Sequence, residues 1–142
     1  MKPFKFSVAL VVKNAAGEIL AVKRPPHDES LPTVWGLPAV TIKPGELPED
    51  AARRVCTEKL ACTAKLIDFV GIKSADQGVY RLILMDIEAR VASGSPNVDG
   101  AQTTGTKYVE QKWTSDLSIF ADAARKGSLC SQVLLDVAGI AY

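Results

Sequence analysis

The sequence has little of several features that would point directly to a function. It carries 17 basic and 16 acidic side chains among 142 residues, and this net charge of +1 gives no reason to expect nucleic acid or an anionic membrane as a partner. Its one histidine, His27, has no serine or cysteine partner arranged for nucleophilic catalysis. No apolar run approaches the ~20 residues that a membrane-spanning helix requires.

Cysteine is also scarce. The three cysteines are not spaced as metal ligands, and a disulfide between any two would leave the third unpaired; they are Cys56, Cys62 and Cys130. Reduced thiols in a cytoplasmic protein are therefore the expected state. The apolar start of the chain is too short for a signal peptide, because Lys13 and Asn14 interrupt it.

What the chain does contain is an ordinary globular composition, 47% hydrophobic and 23% charged. Its length predicts a single domain over residues 1–142, and neither an internal repeat nor a linker divides it. Apolar segments predict strands at residues 6–12 and 18–23, joined as a hairpin through the turn at residues 14–17. The lone histidine falls in the loop that follows, where a solvated role is the expected one.

Residues 36–60, GLPAVTIKPGELPEDAARRVCTEKL, have the clearest pattern in the chain. They predict an extended segment, a turn at Pro44-Gly45 and a helix that has Pro48 in its first turn. Arg54 and Glu58 are four residues apart and are expected to pair on the helix surface. The predicted buried stripe of this helix is Ala52, Val55, Cys56 and Leu60.

The second half of the chain predicts mostly strands and two helices. Strands are expected at residues 64–72 and 79–91, with a turn at 74–78 between them. In the second of these strands Asp86 and Glu88 point to one face, and a solvated strand face is a more typical role for such a pair than a metal site.

Residues 92–105 are small and polar and predict a long loop, followed by a last strand at residues 107–113. Ser115 or Asp116 is expected to cap a helix that ends near Lys126-Gly127. The terminal helix then has a predicted packing stripe of Leu129, Val133, Leu134 and Val137.

The order of residues in 36–60 resembles the box of the Nudix (MutT-like) hydrolase family, G-x5-E-x7-R-E-U-x-E-E-x-G-U, in which U is a bulky apolar residue. Glu46, Arg54 and Glu58 match charged positions of the box, and Cys56 matches its apolar position. The lead-in from Trp35 resembles the family's W-x-x-P-G-G. The resemblance implies an α/β/α sandwich with a mixed β-sheet. It also implies cleavage of a nucleotide or nucleotide-like diphosphate with Mg²⁺ or Mn²⁺.

The resemblance also implies roles for individual residues. Glu58 would be a metal ligand and a catalytic residue, with Arg54 and Glu46 in support. The basic pair that ends the second strand resembles a family feature whose arginine faces the substrate. Arg24, Lys59 and Trp35 are accordingly ligand-binding candidates. An extra carboxylate often comes from a late loop, for which Asp99 and Glu110 are candidates.

The departures from the box bear on the chemistry. Val55 and Lys59 stand where the family has glutamates, and Ala39 and Val40 stand where it has glycines. Positions 55, 58 and 59 lie on one helix face, whose formal charge falls from −3 to zero. Hard cations need several converging carboxylates, so we expect much weaker divalent-metal binding and a degenerate box.

The sequence leaves three hypotheses for the function of the protein. The first is a pyrophosphohydrolase of weak or altered metal-dependent activity. The second is a non-catalytic nucleotide- or phosphate-binding module, in which Lys59, Arg54 and Arg24 hold phosphates without a metal. The third is a protein-interaction domain on the same fold. The sequence does not fix the preferred nucleotide or the oligomeric state.

Overall fold

Strands make up most of the regular structure. The computed structural model describes residues 2–28, 31–103 and 105–142. The strands are β1 (Phe4–Val12), β2 (Ile19–Lys23), β3 (Trp35–Gly36), β4 (Ala39–Thr41), β5 (Thr63–Asp76), β6 (Arg81–Ser93) and β7 (Glu110–Thr114). The helices are α1 (Pro48–Lys59), α2 (Ala121–Arg125) and α3 (Leu129–Ala138).

The larger sheet has four strands in the order β4-β1-β6-β5. Strands β1 and β6 run parallel, whereas β4 and β5 pair antiparallel with their neighbours, so the sheet is mixed. A second, antiparallel sheet has the order β3-β2-β7. In the larger sheet β4 and β5 are the edge strands, and β4 carries the residues that lead into α1.

Residues 8–12 of β1 are buried on both faces because helices lie on both sides of the sheet. Val8 and Leu10 pack in one core cluster with residues of α1, and Ala9 and Val11 pack in a second cluster with residues of α2 and α3. Successive side chains of a strand point to opposite faces of the sheet, so alternate residues of β1 lie in the two clusters. The expected α/β/α sandwich with a mixed sheet is therefore confirmed.

The predicted hairpin of the first two strands is wrong in its pairing. The turn forms as expected, with Gly17 at φ 78° and the Asn14 side chain accepting from the backbone N–H of Glu18 at 2.9 Å. However, β1 and β2 belong to different sheets and share only the isolated bridge between Lys13 and Ile19. Each strand forms a longer ladder with a strand that is distant in the sequence, β1 with β6 and β2 with β7. These long-range ladders replace the predicted hairpin pairing.

Strand β5 is longer than predicted, whereas β6 has the predicted length and begins and ends two residues later. Residues 74–76, expected in a turn, continue β5, and the reversal comes after Asp76. A register shift lies between Leu66 and Asp68, where β5 carries one extra residue opposite β6. The bulge keeps a long strand in register with its neighbour without ending it.

Asp86 is buried, which corrects the expectation of a solvated strand face. It is 0% exposed in β6, and neither carboxylate oxygen has a hydrogen-bond partner among the described residues. Burial raises the pKa of Asp86 to about 9. Glu88 behaves differently, since it is half-buried and pairs with the Lys13 ammonium at 3.3 Å.

The C-terminal part matches most of its predictions. Asp116 caps a short 3₁₀ turn (Leu117–Phe120) by accepting from the N–H of Ser118, and α2 follows directly. After β6 ends at Ser93, residues 94–103 form a loop with one 3₁₀ turn, Val98–Gly100. Val137 is exposed rather than part of the α3 packing stripe.

All three cysteines are free and buried. Among the described residues, no helix is long and apolar enough to cross a membrane.

Candidate active site

The candidate site begins with helix α1 and the loop before it, which form as the sequence predicts. Gly45 takes φ 80° in the turn, and Pro48 opens the helix. The predicted stripe is confirmed, because Ala52, Val55, Cys56 and Leu60 are all fully buried. This burial fixes the rotation of α1, so the opposite face presents Arg54 and Glu58.

Arg54 joins the loop, the helix and the edge strand. Its Nε and Nη2 donate to the two carboxylate oxygens of Glu46 at 2.9 and 3.0 Å. Nη2 also donates to the Thr41 carbonyl at 2.7 Å, and Nη1 reaches both oxygens of Glu58 at 3.2 and 3.3 Å. The hydrogen bonds from Arg54, and then that from the Lys43 backbone N–H, hold the pKa of Glu46 below its usual value. The three charged residues of the box thus form one network that organises the loop.

Arg54→Ala is expected to lower the free energy of unfolding by about 1.5–3 kcal/mol, because a half-buried carboxylate pair and a carbonyl lose their shared charged donor. Urea denaturation measures the change. Arg53→Ala is the matched control, since Arg53 pairs with Asp50 on the exposed helix surface and its loss should cost under about 1 kcal/mol. Equal losses for the two variants would show that the network does not organise the loop.

Lys59 lies inside the site and not on the surface. The residue is 5% exposed. Its ammonium donates to the Thr106 carbonyl at 2.5 Å and lies 5.6 Å from the centre of the Tyr108 ring. A Cβ on Gly105 would come within 3.2 Å of the Lys59 Nζ, so glycine allows this close approach. Burial holds the pKa of Lys59 below its ordinary value, and Glu58 opposes that shift. Among the described residues, no carboxylate forms an ion pair with Lys59.

These residues line a cleft of about 1390 Å³. It runs from the α1 face past the edge strand β4 to the loop that precedes β7. Two of the described residues that line the cleft carry a carboxylate, Asp28 and Glu58. Asp28 forms an ion pair with Arg24 at 3.1 Å. The cationic lining residues of the cleft are Lys5, Arg24, Lys43, Arg54, Lys59 and Lys107. The cleft is therefore suited to an anionic ligand.

The other predicted site residues lie elsewhere. Trp35 packs beside the core cluster that contains α2 and α3. The ammonium groups of Lys23 and Lys112 lie 5.7 and 4.6 Å from its ring centre. Trp35 is not among the described residues that line the cleft. Asp99 and Glu110 are exposed and also lie outside that lining. His27 is exposed at the cleft margin.

Sequence reasoning missed three cations of the cleft, Lys5, Lys43 and Lys107. Lys5 lies one residue before the strand predicted at residues 6–12, so that prediction gave its side chain no direction. Lys43 and Lys107 lie outside regular elements, so no periodicity indicated their direction.

Comparison with known proteins identifies the family. The sequence model of the NUDIX domain matches residues 3–113. The chain belongs to the Nudix family. A Bacillus subtilis (strain 168) protein named "Putative 8-oxo-dGTP diphosphatase" is 33% identical over 106 residues, which cover 75% of this chain. The chain spans 63% of the length of that relative.

Solved structures agree on the Nudix fold. A NUDIX hydrolase from Nitrosomonas europaea matches with a TM-score of 0.73 and 25% identity, over 99% of this chain and 93% of the other. The MutT protein from Methanosarcina mazei Go1 matches with a TM-score of 0.67 and 20% identity, over 85% and 83% of the two chains.

The residues of this Nudix protein do not fit the divalent cation that the family uses. Val55 is fully buried and apolar, Lys59 brings an ammonium, and both oxygens of Glu58 accept from Arg54. The described residues contain no group of three histidine, cysteine, aspartate or glutamate side chains placed to hold a metal ion. A hard cation needs several converging oxygen ligands, and this helix face supplies one carboxylate that is already bonded.

Proposed function

We propose that this Nudix protein binds a nucleotide or nucleotide-like diphosphate in the cleft without a divalent metal, and that its pyrophosphohydrolase activity is weak or absent. The observation that carries this proposal is the buried Lys59 ammonium, which stands where the family has a box glutamate.

The charge of the cleft supports diphosphate as the ligand class. Lys59 has no carboxylate partner among the described residues, and its burial lowers the local dielectric. An anion therefore gains more from this ammonium than from one in water. Lysine is a common point-charge partner of phosphate, and Arg24 offers a guanidinium on the same cleft.

The same arrangement supports weak hydrolysis. Metal-assisted cleavage polarises a phosphate and generates hydroxide, and both effects need a bound cation. The ammonium can neutralise phosphate charge, but it does not supply a metal-bound water. Glu46, Arg54 and Glu58 are held together by hydrogen bonds that organise the loop, so their joint presence has a structural explanation.

Calorimetric titration of ADP into the protein in EDTA is the direct test. Binding is expected without metal, and Lys59→Met should weaken it roughly 10- to 100-fold, because a charge-assisted contact is lost while the side-chain volume is kept. Lys112→Ala is the matched control, since its ammonium lies over Trp35 outside the cleft lining. Phosphate release with Mg²⁺ or Mn²⁺ is expected to be slow in all variants.

Strict dependence of binding on Mg²⁺ or Mn²⁺, together with rapid hydrolysis, would overturn the proposal. Equal affinity in Lys59→Met and wild type would also overturn it, provided thermal melts show that the variant is folded.

A further inference from the structure

One end of the larger sheet presents an apolar surface to solvent. This apolar patch consists of six side chains on three neighbouring strands, β1, β6 and β5, namely Phe4, Phe6, Phe69, Ile72, Ile83 and Met85. The three phenylalanines and the first isoleucine are 47–57% exposed, and the other two side chains are half-buried. Large apolar side chains that are exposed together on one surface mark a site of interaction more often than singly exposed ones do.

The strand pairing places these side chains on the face of the sheet that carries α1. Phe6 lies opposite Ile83 in the β1–β6 ladder. Ile72 lies opposite Met85 in the β5–β6 ladder. Residues that are opposite one another in a ladder point to the same face, and Met85 packs against the core cluster that contains residues of α1. Helix α1 covers the other half of this face, where Val8 is fully buried.

The patch extends across the sheet in both directions. The ring centres of Phe4 and Phe6 are 6.3 Å apart. Phe69 lies opposite Ile87, which is buried in the same cluster as α1. On the β4 side, the patch continues into a groove of about 470 Å³ between the two β1 phenylalanines and the loop that ends at Pro48. The patch therefore runs from that loop to the edge strand β5.

The size of the patch fits the centre of a protein interface. A phenylalanine side chain offers about 200 Å², so the three phenylalanines alone leave about 300 Å² accessible at these exposures. A dimer of standard size buries about 800 Å² of each partner, with an apolar centre and a polar rim. The patch can supply such a centre, and the charged residues at its ends can supply the rim.

The two ends of the patch carry opposite charges. At the α1 end, Glu49 is exposed in the first turn of the helix. It precedes Glu58 by nine residues, about two and a half turns, so it points to the flank of α1 away from the cleft. At the other end Arg81 is exposed at the start of β6, and the adjacent Lys2 and Asp76 are paired with each other. A two-fold axis that runs across the strands would bring the acidic end of one copy over the basic end of the other.

We propose that the apolar patch is the interface of a symmetric homodimer, in which a second copy of the chain packs on it face to face. A two-fold interface joins a surface to itself, so two identical apolar patches cover each other. The opposite charges at the two ends favour this partner, because a nucleic acid or an anionic membrane would favour a uniformly basic border. The interface lies on the flank of α1 away from the cleft, so the dimer does not depend on the proposed function.

Sedimentation equilibrium of the full chain at increasing concentration tests the proposal. A dimer is expected, with a dissociation constant below about 100 μM. Ile72→Asp should raise this constant at least about 100-fold, because it buries an unpaired carboxylate in the apolar centre of the interface. Val137→Asp is the matched control, since Val137 is 63% exposed on α3, on the opposite face of the sheet, and it should leave the constant unchanged.

Charge reversal tests how the two copies are arranged. Glu49→Lys and Arg81→Glu should each weaken the dimer roughly three- to tenfold, because each brings like charges together at the rim. The double variant exchanges the signs of the two ends, so its dimer should return to nearly the wild-type affinity. Circular dichroism melts check that every variant is folded.

Three results would overturn the homodimer. The first is a wild-type chain that stays monomeric at every concentration. The second is a dimer that a folded Ile72→Asp variant keeps at wild-type affinity, since the interface would then lie elsewhere. The third is a monomer that binds phosphatidylcholine vesicles and loses this binding in Ile72→Asp, which would assign the patch to a lipid surface. A double charge variant that is no tighter than the two single variants would overturn the two-fold arrangement.

Discussion

Replacing Val55 and Lys59 together by glutamate is expected to create a divalent-cation site and to make folding stability depend on that cation. Val55 is fully buried and Lys59 nearly so, and Glu58 lies on the same helix face. Without metal, the introduced carboxylates are buried close to each other and to Glu58, which should cost about 3–5 kcal/mol of stability. A cation at 100 times its dissociation constant should return about 2.7 kcal/mol.

Thermal melts of the double variant in EDTA and in Mg²⁺ or Mn²⁺ measure this coupling. The matched control is Val55→Gln with Lys59→Gln, which keeps the volumes and hydrogen-bonding atoms but adds no charge, and its melting temperature should not respond to metal. A double glutamate variant that is folded but indifferent to metal would contradict the charge argument. It would then point to Ala39 and Val40, which form β4 here, as the residues that changed how ligands are presented.

Asp86→Asn is expected to stabilise the protein at neutral and higher pH and to flatten its pH dependence. Burial raises the folded-state pKa of Asp86 to about 9, whereas the ordinary value is 3.8. Between these values the folded state holds a proton that the unfolded state has released. The contribution of Asp86 to the free energy of unfolding is therefore greatest below pH 3.8. It falls as pH rises towards 9, by about 1.4 kcal/mol per pH unit at most.

Urea denaturation of wild type and Asp86→Asn from pH 5 to pH 8.5 measures the slope. Asp99→Asn provides the control, because it makes the same substitution at an exposed position outside β6. Burial, and then the charge of Asp86, raises the pKa of the nearby Cys130 thiol, so the two groups influence each other's titration. An unchanged slope in Asp86→Asn would show that the carboxyl is solvated or ionised in the folded protein.

Local features were predictable where short-range rules decide the structure. The turn at Gly45, the helix from Pro48 and the pairing of Arg54 with Glu58 all depend on residues within a few positions of one another. The order of charged residues in the same stretch was enough to indicate the family and hence the sandwich of helices around a mixed sheet.

Long-range placement was not predictable from these rules. The first two strands follow one another through a good turn, yet they enter different sheets, because each gains a longer ladder from a distant partner. Asp86 shares a strand face with the charged Glu88, a pattern typical of a solvated face, and only the packing of β6 against α3 and the neighbouring strands buries it.

The sequence by itself therefore determined the family, the box helix and the presence of Val55 and Lys59 where the family has glutamates, since these depend on residue identity and short spacing. The tertiary structure decided that Lys59 is buried against the loop at Thr106, that Trp35 lies outside the cleft lining, and that Phe4 and Phe6 form a groove beside it. The physical reason is that the direction and burial of a side chain depend on which distant strands and loops pack around it, and local spacing carries no record of those partners.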